Sequence, residues 1–152
     1  MAKNFDVATT LQYETQQTID HWYRRVEDEP EPSALHMSRE DRCAHLPALF
    51  HDLVTRLRSK LPLGKSALTS EAAKHHGILR SDQGYTPAMM VAESRMLQVS
   101  IFETLQQHVE ETEAGVLLLS VMVIADEVDS QLAQAMSSFI YESKVEAKAV
   151  SA

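Results

Sequence analysis

Ala73-Lys74-His75-His76-Gly77-Ile78-Leu79-Arg80-Ser81-Asp82-Gln83-Gly84-Tyr85-Thr86-Pro87, followed shortly by Ala92-Glu93-Ser94-Arg95-Met96-Leu97, decides how this chain folds. It reads as the end of one helix, a tight corner, and the start of a long second helix. Gly84 stands where a helix C′ residue needs positive φ. Thr86 is a good N-cap, and Pro87 follows at the first helical position, where its missing N–H costs nothing. Glu93 then falls on the apolar face of the new helix with Met90 and Leu97. A buried carboxylate needs a partner. Arg80, one turn before the corner, is the candidate.

Outward from the corner, helical patterning continues in both directions. On the N-terminal side a first helix is expected from Asn4 to about Glu27, because Ala8, Leu11, Thr15, Ile19, Trp22 and Val26 recur at steps of three and four. Glu27-Asp28-Glu29-Pro30-Glu31-Pro32 is acidic and proline-broken, so an exposed loop is expected. Ser38 caps a short second helix with Glu40 and Asp41 in its first turn. A third runs from Pro47 to about Lys60, turning Leu46, Leu49, Phe50, Leu53, Val54 and Leu57 inward, with Arg56, Arg58 and Lys60 at its C-terminal end. The fourth covers roughly Leu68 to Asp82, and the fifth Pro87 to about Glu111. The sixth spans about Glu113 to Lys144, and residues 144–152 read as a fraying tail. Along it Ala114, Leu118, Val121, Ala125, Val128, Leu132, Ala135 and Phe139 keep strict four-three spacing, a coiled-coil seam. Met122, Met136 and Ile140 form a second stripe beside it. No internal repeat or strand-like alternation is present.

Composition agrees with an all-α fold. The 152 residues are enough for one domain with a proper core, residues 1–152 being read as a single helical unit. Four glycines and few aromatics argue against a β-sandwich or barrel. The net charge of −8 weighs against nucleic acid and anionic lipid as partners. One cysteine, Cys43, excludes an internal disulfide and a Cys-rich zinc site, and is expected to be buried. Residues 114–125 form the most apolar run, too short to span a bilayer, and no secretory signal precedes the first helix. The expected location is therefore cytoplasmic.

Few residues promise chemistry. Seven histidines invite a metal or haem reading. His75 and His76 point about 100° apart on a helix, His45 and His51 straddle Pro47, and no His-x-x-x-His pattern exists, so no metal site is expected. Haem needs only one axial histidine, for which His76 and His108 are the candidates. Leu63-Gly64-Lys65-Ser66 mimics the tail of a phosphate loop but lacks its earlier glycine and a preceding strand. Arg80, Glu93 and Arg95 read as an ion-pair network at a helix corner rather than as catalytic groups.

Three segments together resemble a known family. Ser38-Arg39-Glu40-Asp41 runs into His45-Leu46-Pro47-Ala48-Leu49-Phe50-His51-Asp52-Leu53. His76-Gly77-Ile78-Leu79-Arg80-Ser81-Asp82-Gln83-Gly84-Tyr85 and Val91-Ala92-Glu93-Ser94-Arg95-Met96-Leu97 follow. This looks like the N-terminal domain of RsbT co-antagonists of the RsbRD type, a domain similar to one preceding the catalytic core of many bacterial sensor histidine kinases. The chain departs from the pattern at Gln98, where an arginine is expected, and at His51. The resemblance marks His76, Gly77, Arg80, Gln83, Gly84, Tyr85, Glu93 and Arg95 as its motif. It implies a helical, globin-like sensory or regulatory input domain without haem or other cofactor and without catalytic activity. It further implies a homodimer that signals along its last helix to a kinase, STAS or other effector domain. The seam assigns Val121, Val128, Leu132, Ala135 and Phe139 to the dimer interface. The alternative is a ligand- or haem-binding sensor with a true pocket beside the fourth and fifth helices.

Overall fold

The computed structural model describes residues 6–65 and 69–151. Among them every regular element is helical. In chain order these are α1 (Val7–Tyr13), α2 (Thr15–Asp28), α3 (Pro30–Ala34), α4 (Arg39–Cys43), α5 (Leu46–Arg58), α6 (Glu71–Asp82), α7 (Pro87–Gln106), a 3-10 turn (Val109–Glu111) and α8 (Ala114–Ser151). The helix α8 is the spine. It packs most closely on α6 and also on α5 and α7, while α1 lies on α5 and α2 on α7. The main core joins Leu11, Ile19, Trp22, Leu46, Leu53, Ile101 and Ile124. A smaller cluster of Tyr85, Met89, Met90, Ala135 and Phe139 closes the corner. No helix of the described residues is long and apolar enough to cross a membrane.

Local chemistry explains where the elements differ from expectation. The single first helix breaks at Glu14 into α1 and α2. The Thr15 hydroxyl bonds back to the carbonyls of Leu11 at 2.8 Å and Gln12 at 3.0 Å, which bends a helix at that point. The acidic proline segment is not a bare loop: Pro30 occupies the first turn of α3, where a proline is preorganised for helix. Pro47 likewise sits inside the first turn of α5, so the break from α4 falls at Ala44–His45. Ser70 caps α6, its hydroxyl accepting the Ala73 N–H at 3.0 Å. Asn4, Ser66 and Leu68 lie outside the described residues. The tail expected to fray is helical to Ser151. Ala147, Lys148 and Ala149 are strong helix formers and neither glycine nor proline interrupts them. Cys43 is half-buried rather than fully buried.

The seam on α8 also reads differently in three dimensions. Val128, Ala135 and Phe139 are buried within the chain's own bundle, and Val121 and Leu132 are half-buried. The four-three spacing from Val128 onward holds residues that pack on the chain's own bundle, because a helix lying in a bundle uses the same period as one in a coiled coil. Val128, Ala135 and Phe139, expected at a dimer interface, are therefore not free to face a second copy.

Two glycines are required by geometry. At the corner Gly84 has φ 85°. Its N–H reaches the Ser81 carbonyl at 3.2 Å and the Tyr85 N–H reaches the Arg80 carbonyl at 3.0 Å, the two bonds of a Schellman cap. Gly77 serves the α6–α8 crossing: a Cβ there would lie 2.0 Å from the backbone oxygen of Ala135. Gly77→Ala should thus lose about 1–3 kcal/mol through overpacking, and Gly84→Ala about 1 kcal/mol through strain at positive φ. Gly115→Ala, whose Cβ would meet only the Glu113 Oε1 at an ordinary 3.9 Å, should lose nothing. Urea melts of the three variants check the order, and a Gly77→Ala protein as stable as Gly115→Ala would contradict the close crossing.

Candidate functional site

The Schellman cap that ends α6 turns Arg80 inward and, one residue past Gly84, swings Tyr85 in behind it. Two turns into α7 the Glu93 side chain meets both. Arg80 Nε donates to Glu93 Oε2 at 3.2 Å, and the Tyr85 hydroxyl donates to Glu93 Oε1 at 2.5 Å. The same hydroxyl accepts from Arg42 Nη1 at 2.8 Å. Arg80 spends its remaining donors on the Arg42 carbonyl at 2.7 Å, Gln83 Oε1 at 2.7 Å and Met37 Sδ at 3.6 Å, and its guanidinium lies 4.6 Å over the Tyr85 ring. Arg42 Nη2 holds the carbonyls of Pro32 and Leu35. Trp22 Nε1 donates to the Glu93 carbonyl at 3.1 Å. One buried network therefore ties α2, the α3–α4 segment, α6 and α7 together.

Arg42, Arg80 and Glu93 are all buried, so two guanidinium groups face one carboxylate. Burial pushes the Glu93 carboxyl up from its usual range, while Arg80 and the Tyr85 hydroxyl pull the other way. Burial first, and then the Glu93 charge, hold the Tyr85 phenol far above its usual value, so it stays a donor. Both Glu93 oxygens are engaged, so the arrangement locks the corner.

Beside the lock two imidazoles stack. The His45 and His76 rings lie 3.7 Å apart at 11°, with Trp22 edge-on to His45 at 5.8 Å. Burial, then the charges of Arg80 and His75, lower His76 to about 3. Burial, then His76 and Arg80, hold His45 well below its ordinary value. Both rings are neutral at physiological pH. They border a cavity of about 30 Å3, shared with Glu93, Ser94, Gln131 and Leu132. That is room for roughly one water molecule, not for a porphyrin, and His45 covers one face of His76. His108 lies elsewhere, bonded to Glu14 at 3.0 Å and Glu111 at 3.4 Å. Burial lowers the His108 pKa, yet these carboxylates raise it on balance. The residues present do not fit a haem.

Of the motif residues, the fold brings Arg80, Gln83, Tyr85 and Glu93 into one network, with Gly84 making its turn and His76 and Gly77 on the adjoining face of α6. Arg95 is exposed and stands outside it. Arg42 takes the place expected for Arg95. A five-residue helix carries no periodicity, so nothing in the sequence marked Arg42 as inward. A second buried cluster was also missed. Arg56, expected at a solvated helix end, is 1 % exposed, and Glu127 on α8 is 0 % exposed. For Glu127 a signal existed: Ile124, Glu127, Val128 and Gln131 share one helical face. His51, which departs from the resemblance, is exposed. Asp82, Glu142 and Glu146 cluster at the surface.

Two tests address this site. Arg80→Met and Glu93→Gln should each lose about 3–5 kcal/mol, because each strands a buried charge. The double variant should lose clearly less than their sum in denaturant melts. Additive losses would show that the two groups are not coupled. The neutral histidines set an acid limit. Their folded pKa values lie below the unfolded value of about 6.5, so the unfolded chain binds more protons in acid. Their contribution is present above that pH and is lost as pH falls towards 3. His76→Gln should flatten the fall in unfolding free energy between about pH 6 and 4, measured by urea melts across that range.

Comparison of the chain with protein-family models, with curated proteins and with solved structures finds no match in any of the three.

Proposed function

We propose that this chain is a non-catalytic, cytoplasmic input domain of a bacterial signalling protein, of the kind its sequence resembles in RsbT co-antagonists and sensor histidine kinases. It pairs with a second copy through α8 and passes a change in helix packing to a kinase, STAS or other effector domain. Packed helices favour discrete arrangements over gradual ones, which suits such a relay.

One observation carries the reading. Beside the buried stripe of α8, about a third of a turn round the helix, runs a second apolar row. Leu118 is 63 % exposed, Met122 48 % and Ile140 46 %. Ala125, Leu132 and Met136, at matching heptad steps, are half-buried between them. Val91 and Val99 of α7 are exposed as well. Gln98 of α7 bonds Asp129 of α8 at 3.2 Å, so the outward face of α7 adjoins the row. Single exposed apolar residues are ordinary, but an aligned row on one helix is a partner's footprint. A two-fold axis is the commonest way to cover a self-complementary stripe. Past Phe139, its last buried residue, α8 continues for roughly three more turns, and an unaccompanied helix of that length is marginal in water.

The haem-sensor alternative draws nothing from the geometry, since the cavity is too small and His76 is stacked. Sedimentation at micromolar concentration tests the dimer. The wild-type chain should sediment as a dimer. Leu118→Glu with Met122→Glu should give a monomer of unchanged helicity, because neither side chain belongs to the core. A wild-type monomer at every accessible concentration would end the proposal.

A further inference from the structure

The second buried cluster lies where α8 crosses α5. Arg56 of α5 donates to the Leu61 and Pro62 carbonyls, each at 3.3 Å, and to Asp126 Oδ2 at 3.2 Å. Its remaining donor, Nε, points at Glu127 Oε2 from 3.8 Å. Both atoms are buried, and among the described residues neither has a hydrogen-bond partner. Glu127 Oε1 has only a long bond from Gln131 Nε2, at 3.4 Å, and the same amide donates to the Leu49 carbonyl of α5 at 3.2 Å.

The charged groups facing Glu127 are Arg56 and Asp52 from α5 and its own neighbour Asp126. Three carboxyl groups therefore gather here, and Asp126 and Glu127 contact the one guanidinium. Two of them are well served. Asp52 accepts from the Ser70 hydroxyl at 2.6 Å, and Asp126 Oδ1 accepts from the Gly64 N–H at 3.2 Å while Oδ2 holds Arg56. Glu127 is the deepest and has the fewest donors, so it is the first to take a proton. The Glu127–Arg56 contact is the open one of the two at this guanidinium, 3.8 Å against 3.2 Å for Asp126.

We propose that the Glu127–Arg56 contact is a proton-operated latch between α8 and α5. With the proton held, the contact stays open as seen. When the proton passes to solvent, the carboxylate closes on Arg56 Nε, competes with Asp126 for the guanidinium and shifts α8 along α5. The burial that denies Glu127 a donor also raises its pKa to about 7, with Arg56 opposing and Asp52 and Asp126 reinforcing the rise. The latch thus works at neutral pH. Folded Glu127 binds its proton more tightly than the unfolded chain does, so its contribution to stability is full below the unfolded value of about 4.3 and is lost as pH rises from there through about 7. That it regulates anything rests on the reading of α8 as the output helix. That it titrates and moves α8 does not.

Carboxyl-carbon NMR of the wild-type chain between about pH 5 and 9 is the test, the ordinary glutamate value being about 4.3. The Glu127 signal should titrate with a midpoint near 7. Amide signals of residues 49–56 and 124–131 should shift with the same midpoint. Glu127→Gln should lose those shifts and keep the low-pH spectrum throughout. A Glu127 midpoint below 5, or a titration that moves no amide outside its own turn, would overturn the latch. Should Glu127→Gln not fold, the wild-type titration decides alone. These outcomes are independent of the sedimentation result. A latch in a monomer would leave the proton switch standing and remove only the dimeric relay.

Discussion

A carboxylate in the core is tolerable only when every lone pair that matters is met, and the structure around Glu93 is organised to meet them. Its oxygens receive Arg80 and the Tyr85 hydroxyl. For Arg80 to arrive from α6, the chain must reverse within a few residues, hence a glycine at positive φ. For Tyr85 to arrive, it must be the residue just after that glycine. Arg42 then comes in from α4 to use the phenol oxygen, and Trp22 from α2 to use the Glu93 carbonyl. Each demand follows from the one before it. The result spans four segments far apart in sequence, so the lock fixes tertiary arrangement as well as a local turn.

The spine helix α8 is governed by a different constraint, close approach. With no side chain at Gly77, α6 comes down onto the Ala135 backbone. That approach buries the Tyr85, Met89, Phe139 cluster and closes the cavity beside His45 and His76 to about 30 Å3. The packing that makes α6 and α8 intimate therefore also leaves no room for a large ligand. Beside that contact α8 keeps Leu118, Met122 and Ile140 exposed.

The two buried polar clusters respond to protons with opposite sign. The stacked histidines resist protonation, whereas Glu127 retains a proton that the unfolded chain would give up. Both effects come from burial, which disfavours whichever form is charged. Their windows overlap in mild acid, where falling pH weakens the α6 side of the bundle and strengthens the α5–α8 crossing.

Local signals decided much of this in advance. Apolar residues at steps of three and four determine helix, and Ser38, Thr86, Pro87 and Gly84 mark ends through cap chemistry that depends on few neighbours. The Arg80–Glu93 pair was legible because only thirteen positions and one corner separate them. Other features are long-range and had no local signature. Arg42 and Arg56 each look like a solvated charge on a helix, and only packing against distant carbonyls and carboxylates makes them interior. The bend at Glu14 and the helical continuation to Ser151 reflect balances too fine for pattern reading. The clearest division falls on α8. Its sequence carries an apolar seam at four-three spacing with a second apolar stripe beside it. Which stripe meets the chain's own bundle was decided by the tertiary structure, because a helix buries the face that its neighbours can approach most closely, and Gly77 gives α6 that approach on the Ala135 side.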